Sequence, residues 1–184
     1  MAEYTVAAPL DDDMIEKLEA GDLVFLNGTI YTGRDAAHKK LFELIQEGKE
    51  LPVDLTGQII YYVGPSPARP GQVIGSAGPT TSGRMDAYTP ALLDLGLKGM
   101  IGKGLRSREV LDSIKKNRAI YFAATGGAAA LISKRIIKSE VVAYPELGPE
   151  AIYRLEVENF PVIVVNDTHG GDMYNMGRQQ YQGE

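Results

Sequence analysis

The apolar positions of this chain change period several times, and each change marks an element. From Asp35 to Gln46, the residues Ala37, Leu41, Leu44 and Ile45 share one face at helical spacing, which predicts an amphipathic helix. Val110, Leu111 and Ile114 mark a second helix, and Leu92 with Leu93 a third. Residues 11–21 open on three aspartates and close on Gly21, the pattern of a short helix with acids in its first turn. Strands are expected at Asp22–Gly28, Gln58–Val63, Val73–Ser76, around Met100–Ile101 and at Ala119–Ala123. Asn27-Gly28 followed by Thr29–Thr32 predicts a hairpin turn. Val141–Ala143 and Pro161–Val165 are continuously apolar, as in strands covered on both faces. Residues 64–71, Gly-Pro-Ser-Pro-Ala-Arg-Pro-Gly, carry too much proline for regular structure. A helix of small residues is expected after Gly126-Gly127, and the polar stretch from about 175 to 184 is expected to fray. The sum is an α/β fold with a β-rich first half, in one domain spanning 1–184 and without internal repeats.

Composition narrows the function. A chain of 184 residues can bury one substantial core, and 44% hydrophobic with 23% charged residues is ordinary for a soluble globular protein. The net charge of -5 argues against nonspecific nucleic-acid binding, which needs a basic stripe. No apolar run approaches the roughly 18 residues of a membrane span. The N-terminus lacks the basic flank and apolar stretch of a signal peptide, so a cytoplasmic location is expected. The chain has no cysteine, which excludes disulfides, thiol nucleophiles and the usual ligands of an iron–sulfur cluster. His38 and His169 lie far apart in sequence and form no metal signature, so no metal site is expected on this chain.

Against that acidic background, three glycine-flanked segments each end in a cation. Tyr31-Thr32-Gly33-Arg34-Asp35 puts Arg34 between a strand and a helix, where its guanidinium can grip a carboxylate or pair with Asp35 or Glu43 on the surface. Gly78-Pro79-Thr80-Thr81-Ser82-Gly83-Arg84 packs three hydroxyls between glycines just before an expected helix. That is an anion nest completed by Arg84, or a simple cap supplied by Thr81 or Ser82. Gly102-Lys103-Gly104 is no nucleotide P-loop, because Leu97 and Gly104 stand where that motif needs glycine and a hydroxyl. Lys103 remains a possible carboxylate contact or a solvated charge. Thr125-Gly126-Gly127 reads as strand–helix packing with some backbone contact to ligand. Asp167, His169 and Asp172 read as a solvent loop, and the acids of Tyr144–Glu150 as helix-start charges.

The motifs 28–38 (Gly-Thr-Ile-Tyr-Thr-Gly-Arg-Asp-Ala-Ala-His), 78–86 (Gly-Pro-Thr-Thr-Ser-Gly-Arg-Met-Asp), 100–104 (Met-Ile-Gly-Lys-Gly), 126–131 (Gly-Gly-Ala-Ala-Ala-Leu) and 143–152 (Ala-Tyr-Pro-Glu-Leu-Gly-Pro-Glu-Ala-Ile) recur in this order in one family. The chain resembles the β subunit of two-subunit class I fumarate hydratases and L(+)-tartrate dehydratases, and the C-terminal domain of single-chain class I fumarases. The resemblance implies a swivelling β/β/α domain with a mixed sheet. It implies a hydro-lyase that adds water reversibly across the double bond of a four-carbon dicarboxylate. A [4Fe-4S] cluster is then expected on a cysteine-containing α subunit, with no cofactor held by this chain. The family's substrate-binding cations fall on Arg34, Arg84 and Lys103, and its proton-moving threonine on Thr80, with Thr81 as a further substrate-binding residue. Asp35, His38, Gly126 and Gly127 take supporting places, His38 by ordering Arg34 from one helical turn away. The competing reading is a non-catalytic module that binds small anions.

Overall fold

The computed structural model describes residues 1–124 and 129–181 of the chain. Its strands are β1 (Glu3–Ala8), β2 (Leu23–Thr32), β3 (Ile59–Tyr61), β4 (Gly99–Gly102), β5 (Ile120–Ala124), β6 (Ile136–Ala143) and β7 (Ile152–Asn166). Its helices are α1 (Asp12–Ile15), α2 (Asp35–Gln46), α3 (Thr89–Asp94), α4 (Arg108–Asn117), α5 (Ala129–Ser133) and α6 (Met173–Tyr181), with 3-10 turns at Ser82–Met85 and Pro145–Glu150. No helix among the described residues is long and apolar enough to cross a membrane.

Strands β2, β3, β4 and β5 pair in parallel, and β7 runs antiparallel to both β5 and β2. Those pairings close a barrel-like ring, with β1 added in parallel to β2 and β6 added antiparallel to β7. Side-chain alternation then sorts the core into two faces. Val24, Leu26, Ile59, Tyr61, Ile101, Ile120, Phe122, Phe160, Val162 and Val164 belong to one buried cluster. Ile60, Tyr62, Met100 and Tyr121 point the other way, against Ala37 and Leu41 of α2, Leu92 and Leu93 of α3, and Val110 and Ile114 of α4. The Ser107 side chain caps α4 by accepting from the Val110 N–H, and Arg118 ends it in a left-handed conformation.

Several expectations change on the three-dimensional evidence. Asn27-Gly28 is no hairpin: β2 runs through it, with the register shift against β7 falling between Leu26 and Gly28. Gly28 has φ of 106°, and a Cβ there would stand 2.6 Å from the Ala8 carbonyl oxygen, so the glycine serves a bulge beneath the added strand β1. Asn27 meanwhile accepts a bond from the Asn159 N–H at 2.9 Å, stitching β2 to β7. Val73–Ser76 forms no strand; its Ser76 carbonyl accepts from Ser66 N–H at 3.0 Å as the proline-rich loop folds onto itself. Strand β1 is an addition to the expected elements, its Tyr4, Val6 and Ala8 turned to the core, and β7 extends far beyond the Pro161–Val165 run. Strands β6 and β7, paired antiparallel, therefore put most of the strand content in the second half. The C-terminal stretch is helical through Tyr181, because Asp172 caps α6 by accepting from the N–H groups of Tyr174 and Asn175.

The tightest approach in the sheet is at Gly102, where a Cβ would collide with Ser82 Oγ and sit 2.8 Å from Tyr62 Cδ2. Gly102→Ala is expected to destabilise the chain by about 1–3 kcal/mol, the range for overpacking a filled site. A shift in the urea midpoint at unchanged slope checks this.

Candidate active site

Ligands of α/β proteins gather where parallel strands end and loops begin. Two of the three sequence-predicted cations, Arg34 and Lys103, stand there. Arg34 follows β2 after a single glycine, and Gly33 N–H donates to the Tyr61 carbonyl at 3.1 Å, so the ends of β2 and β3 stay in register. Lys103 is the residue directly after β4. The 80–84 segment crosses between them: Thr80 N–H donates to the Tyr62 carbonyl at 2.6 Å, and Thr81 forms an isolated parallel bridge with Lys103. Thus Arg34, Thr80, Thr81, Arg84 and Lys103, which the sequence spreads over 70 positions, reach one edge of the sheet. The end of β5 leads to Gly126 and Gly127, which lie outside the described residues.

The two arginines meet on Asp35. Its carboxylate lies 3.9 Å from Arg34 Nε and 3.7 Å from an Arg84 Nη, and Glu150 Oε1 approaches Arg34 Nε to 3.5 Å. Arg34 Nε is nonetheless buried with no hydrogen-bond partner among the described residues, so its charge is compensated but this donor is unmet there. Arg84, with 58% of its side chain exposed, presents its guanidinium outward.

The anion-nest reading of the threonine segment needs correction. A short 3-10 turn, Ser82–Met85, replaces the expected helix start. The Ser82 N–H is already spent on the Lys103 carbonyl at 2.9 Å, and the Thr80 N–H on Tyr62. Any anion at this edge would therefore be met by side-chain cations and hydroxyls, not by those two amides.

A buried brace, invisible in the sequence, sets the spacing of these loops. Arg106 has a fully buried guanidinium whose Nε donates to Asp86 at 2.7 Å, with further bonds to Thr89 Oγ1 at 2.9 Å and Tyr62 OH at 3.2 Å. The other Asp86 oxygen accepts from Ser107 N–H at 2.6 Å. The guanidinium also lies over the rings of Tyr62 and Tyr121, 5.3 Å and 4.9 Å from their centroids. Burial opposes the Arg106 charge, but Tyr62, Asp86 and Tyr121 more than offset it and hold its pKa above the usual value. Tyr121 adds a second clasp: its hydroxyl, pushed up by burial, donates to the Gly104 carbonyl at 2.8 Å and accepts from Ser82 Oγ at 2.8 Å. Tyr174 of α6 accepts from Gly104 N–H at 3.3 Å, so the C-terminal helix also holds the Lys103 loop. Asp86 lay within a quoted motif, which was its only sequence signal; Arg106 and Tyr121 had none. Glu150 likewise sat in the 143–152 motif, read there as a helix-start acid.

His38 meets Arg34 at its backbone, one helical turn away. The Arg34 carbonyl accepts both the His38 backbone N–H at 2.9 Å and Nδ1–H at 2.8 Å, since a carbonyl can only accept. The ring is fully buried, edge-on to Tyr62 at 5.3 Å, and Nε2 has no hydrogen-bond partner among the described residues. Burial therefore holds the imidazole neutral, with its pKa lowered to about 4 against the Arg34 hydrogen bond that favours its charge. Asp167 is a structural residue of its loop, accepting from the N–H groups of Ala20, His169 and Gly171.

Set beside known proteins, this architecture has a family. The chain belongs to the family described as Fumarase C-terminus, which it matches over residues 3–177. Among its relatives is a protein of Methanocaldococcus jannaschii, provisionally named L(+)-tartrate dehydratase subunit beta, 40% identical over 94% of this chain and 91% of the relative. The anaerobic class I fumarate hydratase of Escherichia coli is 48% identical over 81% of this chain, and fumarate hydratase 2 of Leishmania major is 40% identical over 91%. The chain spans only 28% and 30% of those two longer proteins.

Two outcomes are expected from these contacts. Arg106→Ala leaves Asp86 buried without its partner and should cost about 3–5 kcal/mol, read from the denaturation midpoint. For His38, the folded pKa of about 4 lies below the ordinary 6.5, so the unfolded chain binds more protons between these values. The stability that His38 contributes is complete above about pH 6.5 and is lost as pH falls towards 4, by up to about 3 kcal/mol. His38→Asn, whose amide N–H can replace Nδ1–H, should flatten the stability profile between pH 6.5 and 5 in denaturation curves.

Proposed function

We propose that this chain is the substrate-binding β subunit of an iron–sulfur hydro-lyase, active with a cysteine-containing α subunit on a four-carbon dicarboxylate of the fumarate–malate or tartrate type. The observation that carries the reading is the convergence of Arg34, Arg84 and Lys103, with Thr80 and Thr81, on one edge of the sheet. The names of the relatives support the reaction class, and the near full-length match to a β subunit supports an α partner. The same reading takes the ring of strands, with its helices packed on one face, as the swivelling β/β/α domain of that family.

With no cysteine in this chain, the [4Fe-4S] cluster belongs to the α subunit, where it would act as a Lewis acid on the substrate hydroxyl and carboxylate. The residues of this chain bind and orient. Arg34 faces Asp35 and Glu150, Arg84 faces Asp35, and Lys103 follows β4 at the same edge, so the edge carries three cations to two carboxylates and suits an anion. Arg34 and Arg84 take substrate carboxylate oxygens, and exchange of Asp35 for substrate at the guanidinium groups lowers the cost of binding. Lys103, fixed by the Thr81 bridge and the Tyr121 clasp, adds a third contact. Thr80 takes the proton on the carbon adjacent to the hydroxyl-bearing one. A hydroxyl is a weak base, so nearby positive charge must favour its deprotonated form.

Arg84→Ala, assayed in the complex reconstituted anaerobically with the α subunit, is expected to lower kcat/KM at least about thirtyfold, near 2 kcal/mol of lost transition-state binding. A value within twofold of the parent chain overturns the assignment. Calorimetry on the isolated chain separates the competing module: tight binding of a phosphorylated ligand with none of malate or tartrate favours simple anion binding.

A further inference from the structure

We infer that Gly64 and Glu150 form a slot that fixes the guanidinium of Arg34, so that both are positioning residues for the carboxylate contact; this rests on the reading of Arg34 as a substrate cation. Gly64 lies in the proline-rich loop after β3, and Glu150 in the Tyr144–Glu150 turn.

One wall is a missing side chain. A Cβ on Gly64 would stand 3.1 Å from both Cδ and an Nη of Arg34, and 3.4 Å from the Pro149 carbonyl oxygen. Contacts that short require the neighbour to move, and Arg34 is the mobile partner. Gly64 does not occupy the left-handed region, so space, and not backbone conformation, is what glycine provides there.

The other wall is charge. Glu150 Oε1 lies 3.5 Å from Arg34 Nε, closer than the 3.9 Å of Asp35, and both side chains of the pair are only partly exposed, at 27% and 34%. The carboxylate attracts the guanidinium on its Nε side without taking a hydrogen bond from it.

The wall that carries Glu150 is itself anchored to the elements that carry Arg34. Glu146 pairs with Lys40 of α2 at 3.1 Å, and the Lys40 ammonium lies 5.1 Å from the centre of the Tyr144 ring. Just beyond Glu150, the Ala151 carbonyl accepts from Thr32 Oγ1 at 3.3 Å, and Tyr153 N–H donates back to that hydroxyl at 3.0 Å. Thr32 ends β2, two residues before Arg34. Gly64 follows β3, whose Tyr61 carbonyl accepts from Gly33 N–H. Arg34 is thus held at its carbonyl by His38 and flanked along its side chain by Gly64 and Glu150. A guanidinium confined in this way gives up less rotational freedom when it grips a carboxylate.

The test uses the reconstituted complex, with L-malate and L(+)-tartrate as probes. Gly64→Ala and Glu150→Gln are each expected to raise KM about tenfold while changing kcat less, the effect of misplacing a binding group by a fraction of an ångström. Glu150→Asp should recover part of the loss, and Glu150→Gln, which adds no atom, reads the slot without backbone strain. The decisive comparison is the double-mutant cycle: in an Arg34→Ala background neither substitution should raise KM further. Unchanged KM in both single variants, or an equal rise in the Arg34→Ala background, overturns the slot. If Arg34→Ala raises KM and the slot variants do not, only the slot fails. If Arg34→Ala itself leaves KM unchanged, the reading of Arg34 as a substrate cation fails, and the slot falls with it.

Discussion

The buried pair of Arg106 and Asp86 is the contact on which the candidate site depends. Both groups are withdrawn from water, the guanidinium completely, and such a pair stabilises only when its remaining donors and acceptors are met. Here they are: Thr89, Tyr62 and two aromatic faces receive the arginine, and Ser107 N–H and Arg106 Nε occupy the carboxylate. The consequence is geometric. Asp86 closes the threonine segment and Arg106 follows the Lys103 loop, so their pairing ties two loops from different strands to one point. Tyr121 repeats the tie a few ångströms away through Ser82 and Gly104. A low-dielectric interior strengthens these polar contacts and penalises any rearrangement that would leave one unmet.

On the outer side of that brace the charges are arranged differently. Arg34, Asp35, Arg84 and Glu150 form contacts of 3.5–3.9 Å, longer than the 2.7 Å of the buried pair. Partly exposed ion pairs at such distances contribute little to stability. They suit a binding edge instead, because a substrate carboxylate can replace a weak internal partner at small cost. The division of labour is between a tight polar interior that fixes the loops and a loose polar edge that can exchange partners.

The cations were legible in the sequence because each stands beside a glycine in a tight loop, Arg34 and Lys103 where a strand ends and Arg84 in a 3-10 turn. Helices α2, α3 and α4 were legible from apolar periodicity. Other elements were not. Asn27-Gly28 carries the local signature of a hairpin, yet pairing with β1 and β7 on both edges of β2 overrides it and turns the glycine into a bulge. Strand β7 was seen only at its apolar end, because its earlier half alternates polar Glu156 and Glu158 with buried Leu155 and Val157. The C-terminal stretch is polar enough to read as frayed, and it is the capping by Asp172 and the contact of Tyr174 with the Lys103 loop that give it a place.

By itself, then, the sequence determined the kind of chemistry available: cations and hydroxyls on glycine loops, no thiol, and helices with defined apolar faces. These are local properties, set by residue type and spacing. Only the tertiary structure decided which charges work together. The pairing of Arg106 with Asp86, the meeting of two arginines on Asp35, and the approach of Glu150 and Gly64 to Arg34 all join residues distant in the chain. Closure of the sheet through β2 and β7 brings the strand ends to one edge, and no spacing along the sequence encodes that closure. The glycine-flanked cations announced an anion; the closed sheet made them one site.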